Sequence, residues 1–239
     1  MMNSEEEEFE EEVEMPSLKH VISTSAGIST DVCVRFKEKY KIPVSQAYGI
    51  IEIGLPIINY DKSNEHPDAV GFALPDYEVE IIDDLGNILA PNEIGNLAIK
   101  GPGMFDAYLN PPIARSEVTK NGFFLTADYA SKSFEGLIKV EGRQLSMINV
   151  SGNKVFPEEV EGVLEMIPEI KQARIQGVPH PLMGQIVQAE VVLHLNKTID
   201  IEAVLTFCRK RLSTYKIPQK LEIVDALPMT GSGKLIRSK

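Results

Sequence analysis

The sequence has 239 residues, of which 43% are hydrophobic and 25% charged, and its formal net charge is -11. This composition is ordinary for a globular protein and excludes collagen-like, disulfide-scaffold and wholly disordered chains. No run of about 18 apolar residues occurs, which excludes a membrane-spanning helix. The two cysteines, Cys33 and Cys208, are far apart and the start lacks the features of a secretory signal. We therefore expect reduced thiols and a cytoplasmic location.

Most of the negative charge belongs to the first residues. Residues 5–14 read EEEEFEEEVE and hold eight glutamates; subtracting these from 35 acidic residues leaves 27 against 24 basic ones. Like charges repel and cannot build a core, so residues 1–17 are predicted to form a disordered acidic tail, with a docking arm for a basic partner as the alternative. The nearly neutral remainder has no lysine or arginine cluster, which argues against nucleic-acid binding.

After the tail, residues 18–54 are predicted to form a strand, a helix and a second strand. An apolar run at 18–23 is followed by Ser29, a good helix N-cap, and by apolar residues at helical spacing; the second strand ends at Tyr48-Gly49. Residues 55–142 change character, because short strands alternate with turn signals at intervals of roughly ten residues. That spacing predicts an antiparallel sheet or a small barrel.

The residues from 143 onward are predicted to form a small α+β domain. A helix should begin at Phe156-Pro157, because proline suits the first helical turn. An amphipathic pattern predicts a second helix between Asp200 and Leu212. Apolar runs predict strands at 172–178, 185–195 and 221–224. About 95 residues are enough for a core of their own.

The sharpest local motif is the C-terminal run LPMTGSGK, residues 227–234. Its Gly-Ser-Gly segment exposes backbone N–H groups, and Lys234 adds a mobile positive charge, a combination that suits phosphate. The run is not a Walker A loop, because Leu235 follows the lysine and the first glycine is missing. A frayed polar terminus is the alternative interpretation.

Three further clusters could carry chemistry. Asp128 follows the apolar run FFLTA and, at a strand end, could accept hydrogen bonds from ribose hydroxyls; a simple turn aspartate is the alternative. Tyr48 and Gly49 offer an aromatic face and a site of close approach, and Glu52 offers a carboxylate for a hard cation. Arg143, after a glycine, could pair with phosphate or hydroxyl oxygens.

Taken in order, these clusters resemble one family. The blocks YGxxE, VGFALPDYEVEIID, NEIGNLAIKGPGMFDAYLN, GFFLTADYA, EGRQLSMINVSGNKVFPEEVE, GVPHPLMGQ and YKIPQKLEIVDALPMTGSGK are similar to those of the adenylate-forming (AMP-binding) superfamily, which includes acyl- and aryl-CoA ligases. The resemblance runs from about Leu18 to Lys239. In that family a carboxylate attacks the α-phosphate of ATP, giving an acyl-adenylate and pyrophosphate. The small C-terminal domain then rotates, and a thiol such as CoA takes the acyl group.

The resemblance implies a fold of class α/β plus α+β. Residues 18–142 would be the C-terminal remnant of the large AMP-binding domain, with an α/β piece at 18–54 and a small β-barrel-like subdomain at 55–142. Residues 143–239 would be the small mobile C-terminal domain. The expected cofactors and co-substrates are ATP, Mg²⁺ and CoA or a carrier-protein pantetheine.

The resemblance also implies a role for each matching residue. Lys234 is the expected catalytic residue, stabilising charge on the phosphate and carboxylate during adenylation. Glu52 is the expected ligand of Mg²⁺. The expected nucleotide-binding residues are Tyr48 and Gly49 at adenine, Asp128 and Arg143 at the ribose, and Ser25, Ala26 and Gly27 in the loop lining the nucleotide and acyl pocket. Ser146 is the expected hinge residue, and Ser151 and Gly152 are expected beside the pantetheine arm.

The sequence also departs from the family pattern. Ile51 stands where most members have a threonine that contacts the α-phosphate, and Ala127 replaces a glycine, which we expect to be a mild change. The Ser/Thr/Gly-rich phosphate loop of the family's first half has no counterpart. We therefore expect the C-terminal part of an AMP-forming acyl- or aryl-CoA ligase that needs a separate N-terminal half. The alternatives are an inactive relic or interaction module with an acidic docking tail, and a fragment cut for expression.

Overall fold

The computed structural model describes residues 17–25, 27–231 and 235–236. The predicted acidic tail apart from Ser17, the loop residue Ala26 and the predicted catalytic residue Lys234 lie outside these described residues.

The first unit is the predicted strand–helix–strand arrangement. Strand β1 (Val21–Ser23) runs parallel to β2 (Val44–Ile50), and helix α1 (Thr30–Tyr40) connects them. Ser29 caps α1 by accepting a hydrogen bond from the Val32 N–H. Strands β3 (Gly54–Ile58) and β4 (Phe72–Ala73) complete a sheet with the order β1-β2-β3-β4. This confirms the α/β prediction for this segment.

The next segment is rich in short strands, as predicted. It contains β5 (Glu78–Ile82), β6 (Gly95–Lys100), the hairpin β7 (Ala107–Leu109) and β8 (Pro112–Ala114), helix α2 (Arg115–Val118), β9 (Thr119–Lys120), β10 (Phe123–Lys132) and β11 (Ile138–Arg143). The main sheet is antiparallel, with the order β11-β10-β6-β5 and with β9 beside β10. Its core includes fully buried Ile57, Leu97, Ile99 and Ile138. The described strands of this segment therefore form a sheet whose two end strands are β5 and β11.

The two sheets meet at β4 and β11. Gly71, just before β4, exchanges backbone hydrogen bonds with Ile138, the first residue of β11. A Cβ on Gly71 would lie 2.0 Å from the carbonyl oxygen of Ile58, so only glycine allows this approach. The junction brings β2 of the first sheet close to β10 and β11 of the second.

The C-terminal part has the predicted α+β composition. After a 3₁₀ turn at Gln144–Ser146 come β12 (Ile148–Val150), β13 (Asn153–Val155), α3 (Pro157–Leu164), β14 (Ile170–His180), β15 (Gly184–Leu193), α4 (Ile201–Arg209), a second 3₁₀ turn at Thr214–Lys216 and β16 (Lys220–Ile223). The sheet order is β13-β12-β15-β14, and β16 runs parallel to β15. Both helices pack on one face of this sheet through buried residues that include Val160, Leu164, Val204 and Cys208.

The C-terminal core is separate from the first, and aromatic contacts join the two parts. The Tyr129 ring of β10 lies 5.6 Å from the Phe156 ring, and the Lys154 ammonium lies 4.3 Å from the Tyr129 ring centre. Both cysteines are buried free thiols, as predicted. None of the helices in the described ranges has the length and apolar character that a membrane crossing requires.

Candidate nucleotide site

Three of the predicted nucleotide-binding side chains meet where the two sheets join. The Tyr48 hydroxyl on β2 donates a hydrogen bond of 2.5 Å to Asp128 Oδ2 on β10. Arg143 is the cross-strand neighbour of Asp128 on β11, and its Nε lies 3.5 Å from Asp128 Oδ1. The fold thus brings together a phenol, a carboxylate and a guanidinium from residues up to 95 positions apart in the sequence.

Asp128 reaches this position through a bulge in β10. The pairing of β10 with β6 shifts register between Leu125 and Tyr129, and Ala127 in that interval has φ of +61°. Thr126 fixes the bulge, because its hydroxyl donates to the Leu97 carbonyl at 3.1 Å and accepts from the Asp128 N–H at 3.2 Å. Bulges re-aim side chains next to functional sites. The expectation that Asp128 ends its strand was wrong, because β10 continues to Lys132.

Burial controls the ionisation of this cluster. Loss of hydration raises the pKa of Asp128, although the Tyr48 hydrogen bond and the Arg143 charge act in the opposite direction. Burial, followed by the charge of Asp128 and the hydrogen bond to it, raises the pKa of Tyr48. Tyr48 therefore stays protonated at neutral pH and acts as a donor. Arg143, in contrast, leaves 74% of its side chain exposed, so its guanidinium can move without disturbing the core.

Gly49 is needed by the chain itself at this point. A Cβ on Gly49 would lie 2.5 Å from the Gly54 carbonyl oxygen and 2.9 Å from a Leu55 methyl group. The pairing of β2 with β3 also shifts register between Tyr48 and Ile50. The predicted close approach is therefore an approach of β3 to β2, which holds the Tyr48 backbone in place.

Glu52 lies in the turn after β2 and has a partner that the sequence did not reveal. The Tyr108 hydroxyl on β7 donates to Glu52 Oε1 at 2.9 Å, and the Phe105 N–H donates to the Glu52 carbonyl at 2.9 Å. Burial raises the pKa of Tyr108, and the hydrogen bond and charge of Glu52 raise it further, so the phenol remains a donor. Tyr108 belongs to the block NEIGNLAIKGPGMFDAYLN, which carried the resemblance without indicating a role for this residue.

The donor set at Glu52 fits one kind of metal site. In the ranges described by the structure, no three His, Cys, Asp or Glu side chains form a group that could hold an ion. Mg²⁺ does not need such a group, because it is commonly held by one or two carboxylates together with substrate phosphates and water. A partly exposed carboxylate fixed through one oxygen suits that role.

The loop after β1 lies at the same end of the sheet as Tyr48, because β1 and β2 are parallel. Gln46 fixes this loop: it accepts from the Ile28 N–H at 3.3 Å and donates to the Pro67 carbonyl at 2.6 Å. Ser25, with φ of +74°, and Gly27 are exposed in the loop. Gln46 is buried two residues before Tyr48 on β2, and its amide was not identified from the sequence.

Two family models, which describe consecutive parts of one kind of enzyme, match this chain. The model described as AMP-binding enzyme matches residues 1–109, and that described as AMP-binding enzyme C-terminal domain matches residues 159–234. The chain belongs to the adenylate-forming, AMP-binding enzyme family. The two matches flank the segment that contains Asp128 and Arg143.

Named relatives agree with this assignment. The oxalate–CoA ligase of Saccharomyces cerevisiae is 31% identical over 226 residues, which are 93% of this chain and 41% of that protein. A long-chain-fatty-acid–CoA ligase of Escherichia coli is 34% identical over 193 residues, 80% of this chain and 34% of that protein. The solved structure of o-succinylbenzoate CoA synthetase from Bacillus subtilis, in complex with the acyl-adenylate intermediate OSB-AMP, matches 93% of this chain and 46% of its own, with 29% identity and a TM-score of 0.85. The chain therefore spans between a third and a half of the length of these relatives.

The residues predicted to serve the second step of an adenylate-forming enzyme lie after β11. Ser146 stands in the 3₁₀ turn that links the two parts, and its hydroxyl donates to the Arg143 carbonyl at 3.1 Å. Ser151 and Gly152, with φ of +50° and +88°, form the tight turn between β12 and β13. Their N–H groups already bond to Met183 O and Asn149 Oδ1.

The described residues before and after Lys234 pair with each other through backbone contacts. Met229 pairs with Leu235, and the Ile236 N–H donates to the Pro228 carbonyl at 2.9 Å. Residues 232–234 between these two stretches, including the predicted catalytic Lys234, lie outside the described residues.

Proposed function

We propose that this chain supplies the C-terminal part of an AMP-forming acyl- or aryl-CoA ligase. The reaction joins a carboxylic acid to the α-phosphate of ATP, releases pyrophosphate, and transfers the acyl group from the acyl-adenylate to the thiol of CoA or of a carrier-protein pantetheine. The observation that carries the proposal is the meeting of Tyr48, Asp128 and Arg143 at the junction of the two sheets.

In this proposal the cluster binds the nucleoside. Asp128 accepts hydrogen bonds from the ribose hydroxyls, which suits a buried carboxylate whose oxygens have lone pairs beyond those that face Tyr48 and Arg143. The hydrogen bond from Tyr48 to Asp128 limits rotation of the phenol ring, so that one face is ready to stack on adenine. Arg143, exposed and tethered only at 3.5 Å, approaches the ribose as the nucleotide enters.

The charged oxygens of ATP are assigned to two other residues. Glu52, oriented by Tyr108, would hold Mg²⁺ together with the phosphates, and the ion would supply charge neutralisation there. Lys234 contacts the phosphate and carboxylate oxygens as charge develops on them. Such an electrostatic contact in a dry site is typically worth about 3 kcal/mol of transition-state stabilisation.

The C-terminal part carries out the change between the two steps. Ser146 lies in the linking turn, where rotation of the small domain would be absorbed. The turn at Ser151-Gly152 would approach the pantetheine arm through its carbonyl groups and Cα atoms, since its N–H groups are already bonded within the chain.

A separate N-terminal half is part of this proposal. Strand β1 is at the edge of its sheet, and Ile22 on β1 and Val34 on α1 are exposed apolar side chains. A partner that continues this sheet would cover them. The opposing candidate, an inactive interaction module, is favoured by one feature: Ile51, 94% exposed between Gly49 and Glu52, has no hydroxyl to offer an α-phosphate.

Calorimetric titration distinguishes these candidates. ATP·Mg²⁺ and a non-hydrolysable acyl-adenylate mimic are titrated into the wild-type chain and into Asp128→Ala. The control is Asp61→Ala, the same substitution at an exposed aspartate. We expect binding that Asp128→Ala removes and Asp61→Ala preserves. The N-terminal half of a related ligase is then added, and carboxylate-dependent pyrophosphate release is measured. Absence of both binding and release would favour the inactive module.

A further inference from the structure

The turn between β12 and β13 is tethered from outside its own hairpin. Ser151 and Gly152 both have positive φ, as a two-residue hairpin turn requires, but the Cβ of serine makes this conformation costly. The Ser151 N–H donates to the Met183 carbonyl at 3.0 Å, and the Asn149 N–H donates to Gln185 Oε1 at 2.8 Å. Both acceptors belong to the β14–β15 hairpin near its tip, so the position of the turn depends on that tip.

The tip of the β14–β15 hairpin is itself closed by a histidine. Residues 181–183 form the loop between His180, which ends β14, and the start of β15. The Nδ1 atom of His180 accepts hydrogen bonds from the Leu182 N–H at 3.3 Å and from the Met183 N–H at 3.2 Å. Pro181 has no N–H, so the imidazole binds every N–H group of the three loop residues. These two bonds fix the loop from within.

Met183 links the histidine to the turn. Its N–H binds the His180 ring, its side chain packs on the core of the C-terminal part, and its carbonyl accepts the Ser151 N–H. Leu182 beside it is 90% exposed, so Met183 makes the apolar contact of this loop. Because one residue makes all three contacts, a shift of Met183 moves the point to which Ser151 is bonded.

We propose that His180 is a positioning residue that holds the Ser151–Gly152 turn in place through Met183. The use of this turn by the acceptor thiol rests on the function proposed above. A turn that approaches the pantetheine arm binds it better when it is already ordered, because ordering a loop upon binding costs affinity. His180 acts here only as a hydrogen-bond acceptor for the loop.

The chemistry of the side chain predicts which substitutions preserve this role. The side-chain oxygen of an asparagine accepts a hydrogen bond from the backbone two residues further on, as in an Asx turn. His180→Asn should therefore keep the acceptor, whereas His180→Phe keeps an aromatic ring and removes the acceptor. His194, an exposed histidine directly after the far end of β15, supplies the matched control His194→Phe.

The first test measures the tether in the full chain by amide hydrogen exchange followed by NMR. We expect the Ser151 and Met183 N–H groups to exchange about fivefold faster in His180→Phe, the effect of losing one ordinary hydrogen bond. His180→Asn and His194→Phe should show the wild-type rates. Should His180→Phe fail to fold, His180→Ala replaces it, because it removes the imidazole without introducing an apolar ring. Exchange of Ser151 at the wild-type rate in the folded variant would overturn the proposal.

A variant of the core separates this local effect from a general loss of stability. Ile175→Val removes one methylene group from a side chain with 0% exposure and destabilises the domain without touching the tip. The Ser151 N–H should keep its wild-type exchange rate in this variant. Equal acceleration in Ile175→Val and His180→Phe would mean that the turn opens only with the whole domain, which contradicts a separate hold by His180.

The second test uses the ligase reconstituted with its N-terminal half. In His180→Phe, KM for CoA in thioester formation from a supplied acyl-adenylate should rise about fivefold, while pyrophosphate release and KM for ATP keep their wild-type values. His180→Asn should restore the KM for CoA. An unchanged KM for CoA together with faster exchange at Ser151 would overturn the role in acceptor binding. If the wild-type ligase releases no pyrophosphate, the proposed function fails, and the exchange rates still decide whether His180 holds the turn.

Discussion

The nucleotide cluster and the C-terminal sheet place their functional residues in different ways. Tyr48, Asp128 and Arg143 come from three strands and are joined by side-chain contacts across a junction of two sheets. The described residues assigned to the second part, Ser146, Ser151 and Gly152, lie in a linking turn and a hairpin turn, each formed by neighbours in the sequence. The geometry of the nucleotide cluster therefore depends on tertiary structure, whereas the turns of the C-terminal part are formed locally.

The packing of the two regions follows the same division. The C-terminal core includes buried residues from both of its helices, and Leu164 and Val160 on α3 are fully buried. In the first sheet, α1 and β1 leave apolar side chains such as Val34 and Ile22 exposed. We therefore expect the C-terminal part to stay folded when residues of the first region are substituted. We also expect substitutions in the C-terminal core to cost more stability than substitutions in the first region.

The largest effect is expected in the C-terminal core. Leu164→Ala should lower the free energy of unfolding by about 2–5 kcal/mol, because it removes methyl groups from a side chain with 0% exposure and leaves a cavity. Chemical denaturation measures this loss. Leu195→Ala, at a position that is 88% exposed, is the matched control and should change little.

Leu164→Ala also tests whether the two regions are independent. Under conditions where Leu164→Ala is still folded, nucleotide binding at the Tyr48–Asp128–Arg143 cluster should keep the wild-type affinity. A loss of affinity in parallel with the loss of stability would mean that the C-terminal core supports the cluster, contrary to the division argued here.

The next effect concerns the contact between Tyr108 and Glu52. Tyr108→Phe removes the phenol that fixes the carboxylate, and we expect the Mg²⁺-dependent part of ATP binding to weaken about three- to tenfold. Calorimetry with and without Mg²⁺ separates this from binding of the nucleoside, which should be unaffected. Tyr60→Phe, a similar change at an exposed tyrosine, is the control. Equal Mg²⁺ dependence in Tyr108→Phe and wild type would show that Tyr108 does not orient Glu52.

A smaller effect follows from the raised pKa of Asp128. A folded carboxyl whose pKa lies above 3.8 binds its proton more tightly than the unfolded chain does. The stability due to that proton is complete below pH 3.8 and is lost as the pH rises through the raised pKa. The amide side chain introduced by Asp128→Asn does not titrate, so the thermal midpoint of this variant minus that of the wild type should increase across this window and then level off.

Asp83 supplies a control of opposite sign. Hydrogen bonds from Asn87 hold the pKa of Asp83 below its ordinary value of 3.8. Its ionised form therefore stabilises the fold above pH 3.8, and this contribution is lost as the pH falls through the lowered pKa. In thermal melts at rising pH, Asp83→Asn should lose stability relative to the wild type below pH 3.8, whereas Asp128→Asn should gain stability relative to the wild type above pH 3.8. The same slope for both would contradict the role of burial at Asp128.

The helices and most strands followed from local patterns in the sequence. Ser29, Pro157 and Asp200 mark the starts of the three longer helices, and each helix appears where its cap and apolar spacing predicted. Such signals act over one or two turns of chain, so they can be interpreted without knowing the fold. The resemblance then brought Tyr48 and Asp128 into one expected site.

The contacts within the sites did not follow from the sequence. The hydrogen bonds of Tyr48 with Asp128 and of Tyr108 with Glu52 span 80 and 56 residues. They depend on strand register and on the junction at Gly71, neither of which a local pattern encodes. The bulge at Ala127 is of the same kind, since the sequence predicted that the strand would end there.

The smallest expected effect tests that bulge. Ala127 replaces the glycine of the family, and its φ of +61° lies in the left-handed region that is costly for a residue with a Cβ. Ala127→Gly should therefore raise the free energy of unfolding by up to about 1 kcal/mol, after allowance for the greater freedom of glycine in the unfolded chain. Denaturation measures the change, and Ala114→Gly, at a helix N-cap with φ of -70°, is the control that should gain nothing from relief of strain. If Ala127→Gly is instead destabilising while nucleotide binding persists, the bulge that aims Asp128 at Tyr48 carries no strain, and the expectation of a mild change at this position is the better description.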